Sequence, residues 1–121
     1  MKKNGVKTSR PVVFAAMSKR SFYLREHIIR YILKKGFTPT CAFMMYSYFL
    51  LDTVERKRLI EANNDLIRRS DQLWVFGDIS DGVGEEIKLA KSLKLPIRYF
   101  CLDQFPDKVS EVGELEAKLE S

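Results

Sequence analysis

Residues 77–86 read Gly-Asp-Ile-Ser-Asp-Gly-Val-Gly-Glu-Glu, a set of glycines, one hydroxyl and four carboxylates placed where an apolar run gives way to a helical pattern. Glycines in such a turn let backbone amides come close to a ligand, and the start of a helix favours an anion. The plain structural alternative is a tight connection with Asp81 as helix cap. The helix that follows weighs against that alternative. At about 100° per residue, Val83, Ile87, Leu89, Ala90 and Leu93 form one apolar arc. Glu86 falls near the middle of that arc, while Glu85 falls toward the polar side. A carboxylate on a buried face is costly to desolvate and its pKa rises unless it is paired. At the rim of a domain such a group can face a ligand pocket, and its structural alternative is a buried Glu held by an Arg or a neighbouring loop.

The preceding helical pattern carries a second polar intrusion. Leu59, Ile60, Ala62, Leu66 and Ile67 make its apolar arc, with Asn63 inside it and Asn64 and Asp65 progressively farther out. Asn63 is either a satisfied core amide or a second polar group reaching the same pocket. A third candidate region is the loop Met17-Ser18-Lys19-Arg20-Ser21, whose hydroxyls and two cations suit a phosphate, or simply form an exposed basic loop. The sole histidine, His27, lies mid-helix and is read as structural, since no Ser-His-Asp set or metal-ligand cluster can be built around it.

The elements that must position these groups alternate. Apolar runs at 12–16, 38–43, 73–76 and 96–102 read as strands, and periodic stretches at 21–35, 54–70 and 82–94 read as helices. Gly36 stops the first helix. Residues 109–121 read as a short amphipathic helix. The predicted fold is α/β: a small Rossmann-like or flavodoxin-like three-layer sandwich with a parallel sheet of four to five strands. Ligands of such sheets bind beyond the carboxyl ends of the strands, which puts the loops at 17–21 and 77–86 at the site. The stretch 44–51, Met-Met-Tyr-Ser-Tyr-Phe-Leu-Leu, is left open between a short helix, a pocket wall and an oligomer surface.

At 121 residues the chain suits a basic tail, 1–10, and one domain, 11–121. With 45% hydrophobic and 31% charged residues its composition is globular rather than disordered. No apolar run reaches the ~18 residues that span a bilayer, so neither a membrane partner nor export is expected. Cys41 and Cys101 sit in apolar runs as free thiols, which suits a cytoplasmic protein. A net charge of +5 permits an anionic partner, but basic and acidic residues are interleaved and nucleic acid is not the expected one.

The run Ser80-Asp81-Gly82-Val83-Gly84-Glu85-Glu86, between the strands at 71–76 and 95–100, resembles the nucleoside 2-deoxyribosyltransferase superfamily, and the pattern Ser-x-Gly-Val-Gly-x-Glu is most similar to the 2'-deoxynucleoside 5'-phosphate N-hydrolases. The resemblance is specific from about residue 63 to residue 100. It implies that Glu86 is a nucleophile attacking the anomeric carbon of a deoxyribose, with water or another base resolving the covalent sugar intermediate. It also implies that Ser80 contacts a 5'-phosphate, with Gly82 and Gly84 in the binding turn and Asn63 and Asp65 on the pocket side. Asn63 stands where the family has an acid, which weakens protonation of the leaving base. The family's Gly-containing first loop is replaced here by Ala16-Met17-Ser18-Lys19-Arg20. The expected activity is N-glycosidic cleavage or deoxyribosyl transfer on nucleoside monophosphates. Asp78 or Asp81 is the candidate acid/base or ribose contact, and Ser18, Lys19 and Arg20 hold phosphate with Ser80. No cofactor or metal is expected, and the expected partners are a small nucleotide and a second copy of the chain. The alternatives are a non-catalytic nucleotide-binding module and a plain interaction domain built on Tyr46, Tyr48, Phe49 and Leu50.

Overall fold

The computed structural model describes residues 9–41 and 54–120. Five strands form one sheet in the order β2-β1-β3-β4-β5, with β1 Val12–Met17, β2 Thr38–Thr40, β3 Gln72–Phe76, β4 Ile97–Cys101 and β5 Ser110–Val112. The first four are mutually parallel and β5 runs antiparallel to β4 at the edge. Among the described residues three α-helices accompany them: α1 Arg25–Lys34, preceded by a 3-10 turn over Lys19–Leu24, then α2 Arg56–Arg68 and α3 Asp81–Ser92. The arrangement is flavodoxin-like or Rossmann-like, as the alternation of strand and helix predicts.

Central parallel strands are covered on both faces, so their sequences are apolar without alternation. On β1, Val13, Ala15 and Met17 face the α1 side, and Phe14 and Ala16 face the opposite side. On β3, Trp74 and Phe76 join the first layer, and Leu73 and Val75 the second. Leu24, Ile28 and Ile32 close the α1 layer. Ile67 of α2 and Val83, Ile87 and Ala90 of α3 close the other. Right-handed crossovers account for the division: the chain moves one way from β1 to β2 and the other way from β2 past β1 to β3 and on to β4, so α1 and the α2–α3 pair land on opposite faces. The reversal point lies between β1 and β3, which pair from Val13↔Gln72 to Met17↔Phe76.

The chain after β4 departs from the expected helix at 109–121. Residues Ser110–Val112 form β5 instead, Glu114–Glu116 form a 3-10 turn, and Ile79 makes a parallel bridge to Leu119. Val109, Val112, Leu115 and Leu119 have helical spacing, but Leu115 and Leu119 are exposed. Two physical reasons favour the strand. The edge of β4 offers an open ladder to Val112, Glu111 and Ser110, where Arg98 grips Glu111 with two bonds of 2.7 and 2.8 Å. Gly113 would cost about 1 kcal/mol inside a helix.

The other described boundaries shift by one to four residues, and residues 42–43 of the strand expected at 38–43 lie outside the described residues. The helix expected at 21–35 opens with the 3-10 turn, and the strand expected at 38–43 is described as Thr38–Thr40. The stretch 44–51, with Tyr46, Tyr48, Phe49 and Leu50, and most of the basic tail lie outside the described residues. Cys41 is buried and Cys101 partly buried, and the two form no disulfide. His27 packs edge-on to Phe105 at 6.2 Å between ring centroids. Among the described residues no helix is long and apolar enough to cross a membrane.

Candidate active site

The predicted site residues fall into two groups. The first is the seam between α2 and α3. Asn63 projects from α2 and donates from Nδ2 to Oε2 of Glu86 on α3 at 2.7 Å. Both side chains are half-buried, one turn from the buried residues Ile67, Val83 and Ile87. Burial pushes the Glu86 carboxyl up to about 7, and the Asn63 hydrogen bond only partly opposes this. Among the described residues no cation takes part, so within them the group is neither a salt-bridged core Glu nor a solvated surface one. With Oε2 held by the amide, Oε1 is the oxygen left for a ligand. A carboxyl that titrates near neutrality is available in both protonation states, as acid/base or nucleophilic chemistry requires.

The second group surrounds the carboxyl ends of β1, β3 and β4. A cleft of about 290 Å³ is lined there by residues that include Ser18, Arg20, Gly77, Asp78, Phe100 and Glu120. Because Met17 pairs with Phe76, the loops that follow them begin side by side. Gly77 has φ +85°, and a Cβ on it would stand 2.9 Å from Ser21 Oγ and 3.0 Å from Leu102 Cδ1. Only glycine serves there, because both the backbone conformation and the space exclude a side chain. Ser18 is buried and its Oγ has no hydrogen-bond partner among the described residues.

The turn between β3 and α3 links the two groups. Ser80 caps α3, its Oγ accepting from Val83 N–H at 3.2 Å. Its hydroxyl proton remains available as a donor. Asp78, Asp81 and Gly82 are exposed. A Cβ on Gly82 meets nothing within 4 Å among the described residues, and one on Gly84 meets only Ile79 Cγ2, at 3.9 Å. Packing among those residues does not require either glycine. Lys19 lies exposed in the 3-10 turn, and exposed Asp65 accepts from Arg68 at 3.0 Å, away from Glu86. Asn63 and Glu86 do not line the cleft that holds Ser18, Arg20 and Asp78. Among the described residues no group of three or more His, Cys, Asp or Glu is placed to hold a metal.

Residues 13–100, from β1 through β4, match the family model described as a domain of unknown function, DUF7768. The chain belongs to the DUF7768 family. The matched range takes in Ser18, Asn63, the 77–86 turn and Glu86, so this DUF7768 domain contains both groups apart from the cleft residues at 101–103 and 112–120. No curated protein matches the chain. The cleft wall at 112–120 is what sequence reasoning missed in the DUF7768 site. Glu116, Lys118 and Glu120 reach the cleft only because the chain turns back along the β3–α3 loop, and no local pattern signals a lone parallel bridge.

Proposed function

We propose that this DUF7768 protein is a nucleotide N-glycosidase or deoxyribosyl-transfer enzyme acting on (deoxy)nucleoside monophosphates, with Glu86 as nucleophile. The observation that carries the reading is the Glu86–Asn63 pair: a half-buried carboxylate with one oxygen fixed by an amide, no cation beside it among the described residues, and a pKa raised to about 7. The resemblance of 80–86 to the nucleoside 2-deoxyribosyltransferase superfamily supplies the reaction. Glu86 Oε1 attacks the anomeric carbon as the carbon–nitrogen bond to the base breaks. The base leaves with a proton from water or from Asp78 or Asp81, and water or a second base then releases the sugar from Glu86. Ser80, the first turn of α3 with Gly82 and Gly84, and Ser18, Lys19 and Arg20 are the proposed phosphate contacts.

The test is release of free base from deoxynucleoside monophosphates by the wild type and its loss in Glu86→Gln. If no natural deoxynucleotide yields base, and Glu86→Ala binds them as tightly as the wild type, catalysis by Glu86 is wrong. One feature supports a second reading, a nucleotide-binding module without turnover: among the described residues the only hydrogen-bond partner of Glu86 is an amide, where the resemblance has a carboxylic acid. That reading predicts thermal stabilisation by nucleotide with no base released.

A further inference from the structure

The segment over residues 117–120 lies along the β3–α3 turn. Ile79 N–H donates to Lys118 O and Glu120 N–H to Ile79 O, both at 2.8 Å. Little apolar burial anchors it: Leu119 is 79% exposed, Leu115 is fully exposed, and only Ala117 packs against the core. Segments held by a few backbone bonds and surface ion pairs open at low free-energy cost. Glu120 reaches from this strap into the cleft, where its Oε2 lies 3.7 Å from Arg20 Nε. That oxygen is buried and has no hydrogen-bond partner among the described residues, like Ser18 Oγ in the same cleft.

Two buried polar atoms without hydrogen bonds in one small cleft are a cost that a native fold seldom keeps without use. One exchange relieves both. An incoming phosphate accepts from Ser18 Oγ–H and pairs with Arg20, while Glu120 returns to water. The closed strap also makes the cleft hostile to anions. Asp78, Asp103, Glu116 and Glu120 line it against Arg20 and Lys118, and two of those four carboxylates belong to residues 116–120. We infer that Glu120 is an internal competitor for the phosphate group of the ligand, so that the 117–120 strap and a phosphate monoester bind the Ser18–Arg20 end of the cleft in exclusion of one another. This rests on the phosphate contacts of the proposed function and adds their regulation.

Inorganic phosphate is the probe, titrated into the full chain against chloride at equal ionic strength, with affinity read by calorimetry and amide hydrogen exchange followed at Ile79 and Glu120. Phosphate is expected to speed exchange at both amides saturably in the wild type. Glu120→Gln, which keeps the backbone bonds and removes the charge, is expected to bind phosphate about 5- to 10-fold more tightly, within the usual range of coupling between competing contacts. Equal affinity in the two proteins, binding with unchanged exchange, or no binding to either overturns the inference. If competition is seen but no deoxynucleotide is cleaved, the strap stands and the glycosidase reading falls.

Discussion

The two faces of the sheet are built from the same strands and differ in what they bury. On the α1 side, Trp74, Phe76 and Phe100 pack together, with Phe76 stacked on Phe100 at 4.8 Å and Tyr31 edge-on to Phe100 at 5.6 Å. Arg98 covers the edge of this layer, 4.5 Å above Trp74. On the α2–α3 side the buried residues are mainly aliphatic, with Phe14 and Tyr99 the aromatic ones, and Glu86 and Asn63 meet between the two helices. The first face is a stability layer. The second places a carboxylate where its ionised form is disfavoured, an arrangement that lowers stability at neutral pH.

The largest effect that separates the faces is expected from Trp74→Ala. Removing a fully buried aromatic should cost about 3–5 kcal/mol, and denaturant melts should give the same loss at pH 5 and pH 8, because no titrating group is involved. A loss that varies strongly with pH would tie the aromatic layer to Glu86 and undo the contrast.

Glu86→Gln tests the other face. The folded-state pKa is raised from 4.5 to about 7, so the folded protein holds the proton more tightly than the unfolded chain. Its stabilising contribution is therefore full below pH 4.5 and lost as pH rises through about 7, a fall of at most about 3 kcal/mol. Glu86→Gln should flatten that fall and match or exceed the wild type above pH 7. An unchanged slope of stability between pH 4.5 and 8 would show that Glu86 is not the group responsible. If Glu86 is the nucleophile, base release by the wild type should rise with pH through the same range, as the carboxylate forms.

Asn63→Ala removes the donor that favours the ionised form. The expected cost is about 1.5–3 kcal/mol above pH 7, as for a hydrogen bond to a charged group, and less at pH 5, where Glu86 is protonated. The pKa of Glu86, followed by carboxyl NMR, should move further up; a downward move would mean that water satisfies the carboxylate better than the amide does. The smallest effect is expected from Gly84→Ala, which should raise stability by about 0.5–1 kcal/mol because no described contact forbids the methyl group. A destabilised Gly84→Ala would show that packing, rather than ligand approach, holds that glycine. Weaker nucleotide binding in the stabilised variant would sharpen the functional contrast between the faces.

Much of this was legible before any coordinates. The continuous apolar runs of β1 and β3 imply strands covered on both faces, and the helical spacing of Val83, Ile87 and Ala90 places Glu86 on the inner arc of α3 and Asn63 on that of α2. Local periodicity carries such information because a side chain's direction along a helix or strand follows from its position alone. What periodicity lacks is knowledge of partners. It could not tell that the amide of Asn63 would lie 2.7 Å from Glu86, nor that Asp65, two residues on, would turn to solvent and pair with Arg68. It also misjudged the chain after β4, where helical spacing competed with an open sheet edge nine to thirteen residues away, and the edge prevailed through ladder bonds and the Arg98–Glu111 grip. The amino-acid sequence by itself determined the layers, the turn at 77–86 and the anomalous carboxylate. The tertiary structure decided the carboxylate's partner and brought Glu120 over the cleft, because both depend on contacts between segments whose separation along the chain local pattern cannot bridge.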